Sequence, residues 1–216
     1  LEKKIKNVLN KYDGKKYFMG INHRFLTVSK SYLKEKKLFF YFILYRSGLY
    51  KYLKKNKTYG DALVFRKDFN KLDLNHLFNY LNKKRLIVVT SEVSKLKNVA
   101  FFNKNTLFVD CPKSNAWDSY AKILNGSLKK AEIIRSKSKS NNNGNDERNV
   151  QGNNKGNGKG KSNGKEDILF LISLGPTAKP LVFDLTNKGY MAWDTGHFFD
   201  FYLNDLKTNS VNFKRE

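Results

Sequence analysis

The sequence predicts an α/β domain with a mostly parallel, Rossmann-like sheet, helices on both faces, and one disordered insert. Three observations predict it. Short β-branched, almost wholly apolar runs recur along the chain, as in strands buried on both faces. Helical patterns alternate with them. After the insert, strand, tight loop, helix and strand follow within about 30 residues, the span of a βαβ unit.

Taken in order, Lys30 to Lys55 reads as helical from the mixed three and four spacing of its aromatics and leucines, and Tyr59-Gly60-Asp61-Ala62 breaks that pattern. A helix is expected over Leu74 to Asn82. Arg85-Leu86-Ile87-Val88-Val89-Thr90 and Thr106-Leu107-Phe108-Val109-Asp110 are expected strands, and Asn115 to Lys130 a helix. Asp167 to Leu174 is the most apolar strand, and Gly175-Pro176-Thr177 is a tight loop leading into a helix over Ala178 to Asn187, closed by Gly189. Tyr190 to Asp194 is the last strand.

Between residues 136 and 165, Ser, Asn, Gly and Lys displace nearly every apolar side chain, so the segment cannot bury enough surface to offset the entropy of ordering it. We read it as a disordered basic insert in one domain, with residues 1–135 and 166–216 as the two parts. Loop-closure entropy grows only logarithmically with length, so the fold tolerates such an insert.

The chain has 216 residues, enough for one domain with a real core. It opens on Leu1 rather than methionine and runs straight into Glu2-Lys3-Lys4, which we read as the loss of an upstream segment; no signal-peptide pattern is visible. The longest apolar run, Leu38 to Tyr45, is far short of the roughly 20 residues of a membrane helix. A single cysteine, Cys111, excludes an internal disulfide and a multi-cysteine zinc site. These features together lead us to expect a cytoplasmic protein.

The formal charge of +23 suits nucleic acid, an anionic membrane surface or a phosphate-rich substrate. Lysine and asparagine are nevertheless abundant in every segment and form no repeating stripe on one predicted element, so general lysine enrichment is the plainer reading.

Three clusters sit just past the ends of predicted parallel strands, where open α/β sheets bind their ligands. In Leu174-Gly175-Pro176-Thr177-Ala178-Lys179, glycine permits a sharp exit from the strand, and the backbone N–H groups of Gly175, Thr177 and Ala178 at a helix start can receive an anion. The plainer reading is a strand-to-helix turn that binds nothing. In Thr90-Ser91-Glu92-Val93-Ser94-Lys95, Ser94 and Lys95 can hold an anion and Glu92 a hydroxyl or a metal, against a solvated loop. In Asp194-Thr195-Gly196-His197 a carboxylate and an imidazole lie three residues apart, and a histidine works near neutral pH without large tuning. The alternative there is a structural histidine. No P-loop, G-x-G-x-x-G after a strand, H-E-x-x-H or G-x-S-x-G occurs.

Leu169 to Lys179, Phe183-Asp184-Leu185, Lys188-Gly189-Tyr190 and Asp194-Thr195-Gly196-His197 closely resemble the C-terminal signature of the bacterial GT-D glycosyltransferase family, formerly a domain of unknown function. The resemblance continues upstream through Lys57 to Ala62 with Arg66, Ile87-Val88-Val89 with Glu92, Ser94 and Lys95, and Cys111 to Ala116, and it covers nearly everything except the insert. It implies a GT-D type fold and transfer of a sugar, typically glucose from UDP-glucose, to a glycan or glycoprotein such as a serine-rich repeat adhesin. It also implies a divalent metal, usually manganese, held by an Asp-x-Glu segment that this chain does not contain. No metal ligand is assigned within the chain.

The resemblance departs in one further place. Acidic residues are usual two and four positions beyond the histidine, whereas this chain has Phe199 and Phe201, and its nearest carboxylates are Asp200 and Asp205. On this reading Asp194, His197 and Glu92 are the candidate catalytic residues, with stereochemistry open. Ser94, Lys95, Gly175, Pro176, Thr177 and Ala178 are the candidate nucleotide-sugar contacts. The alternatives are an inactive nucleotide-sugar-binding relative and a basic nucleic-acid-binding protein. The last lacks any recognised module and has no aromatics interleaved in its basic insert for base stacking. Neither oligomeric state nor the identity of sugar and acceptor follows from the sequence.

Overall fold

Each run expected to be a strand forms one, and every pairing between them is parallel. The computed structural model describes residues 1–12, 20–21, 51, 60–61, 73–102, 106–142, 164–196 and 198–199. In chain order these form α1 (Glu2–Asn10), β1 (Gly20–Ile21), β2 (Gly60–Asp61), α2 (Leu74–Asn82), β3 (Arg85–Ser91), β4 (Thr106–Cys111), α3 (Tyr120–Asn142), β5 (Ile168–Ser173), α4 (Ala178–Asn187) and β6 (Met191–Asp194). Short 3-10 turns occupy Lys95–Asn98, Ala100–Phe102 and Gly175–Thr177.

The sheet order is β4-β3-β5-β6, every pair parallel, with Thr90 opposite Ser173, Ser91 opposite Cys111 and Ile172 opposite Asp194. Residues β1 and β2 make a separate two-residue parallel pair, so the break expected at Gly60-Asp61 is itself a short strand.

Alternation along β5 explains its unbroken apolar run. Ile168, Phe170 and Ile172 face a core built with Ile123, Ala131 and Ile134 of α3 and Ala178, Leu181 and Leu185 of α4. Leu169 and Leu171 face the opposite core, with Leu81 of α2, Leu96 and Phe102 of the 3-10 turns, and Phe198 and Phe199. Helices therefore cover both faces. At roughly 1.5–3 kcal/mol per fully buried side chain, the five buried apolar residues of this central strand contribute on the order of 10 kcal/mol.

The connection from β3 to β4 runs over the α2 face, whereas α3 and α4 return the chain in the other direction over the opposite face. Reversing both direction and face keeps all three crossovers of one hand, as twisted strands require. The reversal makes β3 and β5 neighbours whose outgoing loops part to opposite sides. That crevice at the carboxyl ends is where doubly wound sheets place ligands.

Helix α1 is tied on from a distance in sequence. Lys4 Nζ contacts Asp184 Oδ2 at 2.5 Å and lies 4.1 Å from the centre of the Tyr120 ring. The Tyr120 hydroxyl is 2.7 Å from the same carboxylate oxygen and 3.0 Å from the carbonyl of Pro180. Burial, then the hydrogen bond to Asp184, pushes the Tyr120 phenol well above its ordinary range.

Two expectations shift. The helix expected over Asn115 to Lys130 begins at Tyr120 and continues to Asn142. Asn115 sits at φ 51, and Asp118 N–H donates to its carbonyl, so residues 115–119 turn before the helix starts. Beyond Lys130 the buried positions Ala131 and Ile134 continue the spacing set by Ile123 and Ser127. Once nucleated, a helix takes in Ser, Lys and Asn at a few tenths of a kcal/mol each. Residues 136–142, assigned to the insert from sequence, are thus the end of α3. At the far side Lys165 is also held, its Nζ donating to the carbonyl of Lys188 at 2.9 Å and lying over the Tyr190 ring. The helix expected over Lys30 to Lys55 lies outside the described residues except for Lys51, as do residues 143–163.

Candidate functional site

Four strand ends form the carboxyl rim. Past β3, the N–H of Glu92 donates to the carbonyl of Cys111 at 2.9 Å and extends the pairing with β4 by one residue. Glu92 and Lys95 are exposed, and Ser94 is half-buried. The Ser94 hydroxyl oxygen accepts from Leu96 N–H at 3.3 Å and caps the following 3-10 turn, which fixes its position. Cys111 itself is buried, and burial followed by the charge of Asp110 pushes its thiol up to about 12, so it takes no part as a nucleophile near neutral pH.

Past β5, Gly175 adopts φ +54, and a Cβ built there would meet no atom of the described residues within 4 Å. Pro176 fills the first turn, where its missing N–H costs nothing. The N–H of Ala178 donates to the carbonyl of Gly175, so this amide, considered from the sequence as an anion donor, is already engaged within the turn. The Thr177 and Ala178 side chains are buried and anchor the loop in the core. No side chain caps this helix start.

Past β6, Thr195 N–H donates to the Ile172 carbonyl at 2.9 Å, and the Ser173 hydroxyl donates to the Gly196 carbonyl, tying the β5 and β6 ends together. Asp194 Oδ1 accepts from Gly196 N–H at 3.1 Å, and Oδ2 is 3.5 Å from Lys179 Nζ. His197 lies outside the described residues.

The three clusters thus share one rim, but they are not equivalent. Glu92 follows β3 and Asp194 ends β6, with β5 between them, which separates their backbones by roughly 10 Å at ordinary strand spacing. The β5 loop carrying Gly175 to Thr177 stands between them. Two residues of this rim went unassigned from sequence. Lys179 was legible as a basic residue in the first turn after the loop, but its partner was not. Phe199, where the resemblance leads one to expect a carboxylate, is instead buried in the α2-side core against Phe102 and Phe198.

Among the described residues no group of three His, Cys, Asp or Glu side chains is placed to hold a metal ion. The manganese expected from the resemblance therefore finds no ligand set among them. Among the same residues no helix is long and apolar enough to cross a membrane.

A four-stranded parallel sheet, covered on both faces and carrying polar loops at its carboxyl edge, defines a doubly wound α/β protein. Its fold is shared with domains of unknown function 1792. A solved structure of that highly conserved domain, described as having a distinct glycosyltransferase fold, matches with a TM-score of 0.63 at 21% identity, over 99% of this chain and 68% of that one. A selenomethionine-substituted structure of the domain matches with a TM-score of 0.61 at 21% identity, over 99% and 68%. A new glycosyltransferase of this kind from Streptococcus sanguinis matches with a TM-score of 0.60 at 19% identity, over 99% and 70%. The chain therefore has this glycosyltransferase fold. No family model and no curated protein matches it.

Proposed function

We propose that the chain is a glycosyltransferase that takes a sugar, glucose in our reading, from a UDP-sugar and passes it to a glycan or glycoprotein. The observation that carries this is the crevice between the diverging β3 and β5 loops, in a sheet whose fold matches a glycosyltransferase over 99% of the chain. The donor diphosphate sits at the Gly175–Thr177 turn, where backbone N–H groups at the start of α4 can receive an anion. Ser94 and Lys95 reach it from the β3 side. Their contribution is electrostatic: the bond to the sugar breaks more readily when the negative charge gathering on the leaving diphosphate meets fixed donors and a cation. Glu92, exposed on the same rim, contacts a sugar hydroxyl. Asp194, at the end of β6, flanks the same turn on its other side. The reading places the protein in the cytoplasm, where UDP-sugars are found.

A panel of UDP-sugars with glycan and glycopeptide acceptors tests the proposal by release of UDP. Release that depends on both donor and acceptor is expected; none with any pair, together with no calorimetric binding of UDP, would overturn it. The buried position of Phe199 favours a second reading, a relative that binds nucleotide sugar without turning it over. Saturable UDP binding with no transfer would select that one.

A further inference from the structure

We propose that Lys179 is the side chain that grips the donor diphosphate and that Asp194 orients it, rather than accepting a proton; this rests on the nucleotide-sugar reading above. Lys179 is the second residue of α4, directly after the loop that begins at Gly175. A cation in the first turn faces the positive end of the helix dipole, an unfavourable position that a bound anion reverses. No acidic residue occupies that turn.

The pair formed by Lys179 and Asp194 is unequal. Asp194 is anchored, with a 29% exposed side chain and one oxygen fixed by the Gly196 N–H. Lys179 is 58% exposed, touches the other oxygen at 3.5 Å, and turns on a flexible stem. Exposed single-point pairs of this kind contribute little, so exchanging a carboxylate oxygen for phosphate oxygens is favourable. Gly175, at the start of the loop before α4, and Gly196, bonded to Asp194, both have positive φ, and a Cβ at either would meet no atom of the described residues within 4 Å. Phosphate oxygens can therefore approach the loop backbone while Lys179 closes over them. Both oxygens of Asp194 are engaged by this arrangement, one by Gly196 and one by Lys179, which suits a residue that aims the lysine.

Calorimetric titrations of the 216-residue chain with UDP, inorganic pyrophosphate and uridine test this on wild type, Lys179→Ala, Lys179→Arg and Lys188→Ala. Lys188 is exposed at the opposite end of α4 and controls for bulk charge. Lys179→Ala is expected to weaken UDP and pyrophosphate about tenfold or more, with a flatter salt dependence, and to leave uridine unchanged. Lys179→Arg restores most of the loss, and Lys188→Ala stays within about twofold. Wild-type affinity for UDP and pyrophosphate in Lys179→Ala, or an equal loss in Lys188→Ala, overturns the role of Lys179 alone. If wild type binds neither UDP nor pyrophosphate, the nucleotide-sugar reading itself falls.

Discussion

Phe199 meets Phe102 edge-on, with ring centroids 5.0 Å apart and an interplanar angle of 74°, and both rings are buried. This contact pins the segment just past β6 to the 3-10 turn between β3 and β4, across the α2-side core. The position where the resemblance leads one to expect a rim carboxylate is, in this chain, part of the interior.

Phe199→Ala should therefore act on stability first. Removing a buried aromatic ring costs about 3–5 kcal/mol, and urea unfolding followed by tyrosine and tryptophan fluorescence reads it. Phe199→Asp should be at least as damaging, because the carboxylate is buried without a partner. A Phe199→Asp protein as stable as wild type would show that the side chain leaves the core freely.

At the rim, Gly175→Val should weaken UDP binding more than Thr177→Ala. Valine at φ +54 is strained by about 1–3 kcal/mol, and since the space around its Cβ is open, the cost comes from the backbone rather than from a clash. Thr177→Ala should cost UDP binding about 1 kcal/mol at most, because its side chain is buried beneath the loop and acts only through the loop's position. Lys95→Ala should weaken UDP and flatten its salt dependence, as expected for a screened point charge. Calorimetry at two salt concentrations gives the ranking, and equal affinities for all three variants and wild type would remove the site.

Residues 143–163 contain no apolar residue except Val150, and α3 and Lys165 are held on either side of them. Replacing 143–163 by a short Gly/Ser linker should leave the melting temperature nearly unchanged. Extending the replacement through Lys165 should lower stability slightly, by about 0.5–1 kcal/mol, through loss of its contact with the Tyr190 ring. A large fall on the first replacement would show that the segment packs.

Alkaline pH should loosen the fold partly through Tyr120. Its phenol is raised above the ordinary value of 10.0 in the folded state, so the neutral form is favoured by folding. That stability is complete below the unfolded value and is lost as pH rises from about 10 towards the folded value. Tyr120→Phe should be less stable by about 1 kcal/mol at pH 8, because the hydrogen bonds to Asp184 and Pro180 go, and should show a shallower decline above pH 10. Urea midpoints for both proteins between pH 8 and 11 check the slope.

The sequence by itself determined the elements that matter to the rim. A strand covered on both faces must be apolar at consecutive positions, so β3, β4 and β5 could be read from their composition, as could α2 and α4 from their spacing and from the Gly175-Pro176 and Gly189 punctuation. It also placed Ser94, Thr177 and Asp194 at strand ends. What it left open was partnership, because periodicity records that a side chain is buried or exposed but not against what. Only the order β4-β3-β5-β6, fixed by how two cores close around β5, set Asp194 beside Lys179, kept Glu92 one strand farther away, and turned Phe199 onto Phe102. Lys4, Tyr120 and Asp184 make the same point over the longest reach, since 180 residues separate the first from the last and nothing local in any of them announces the other two.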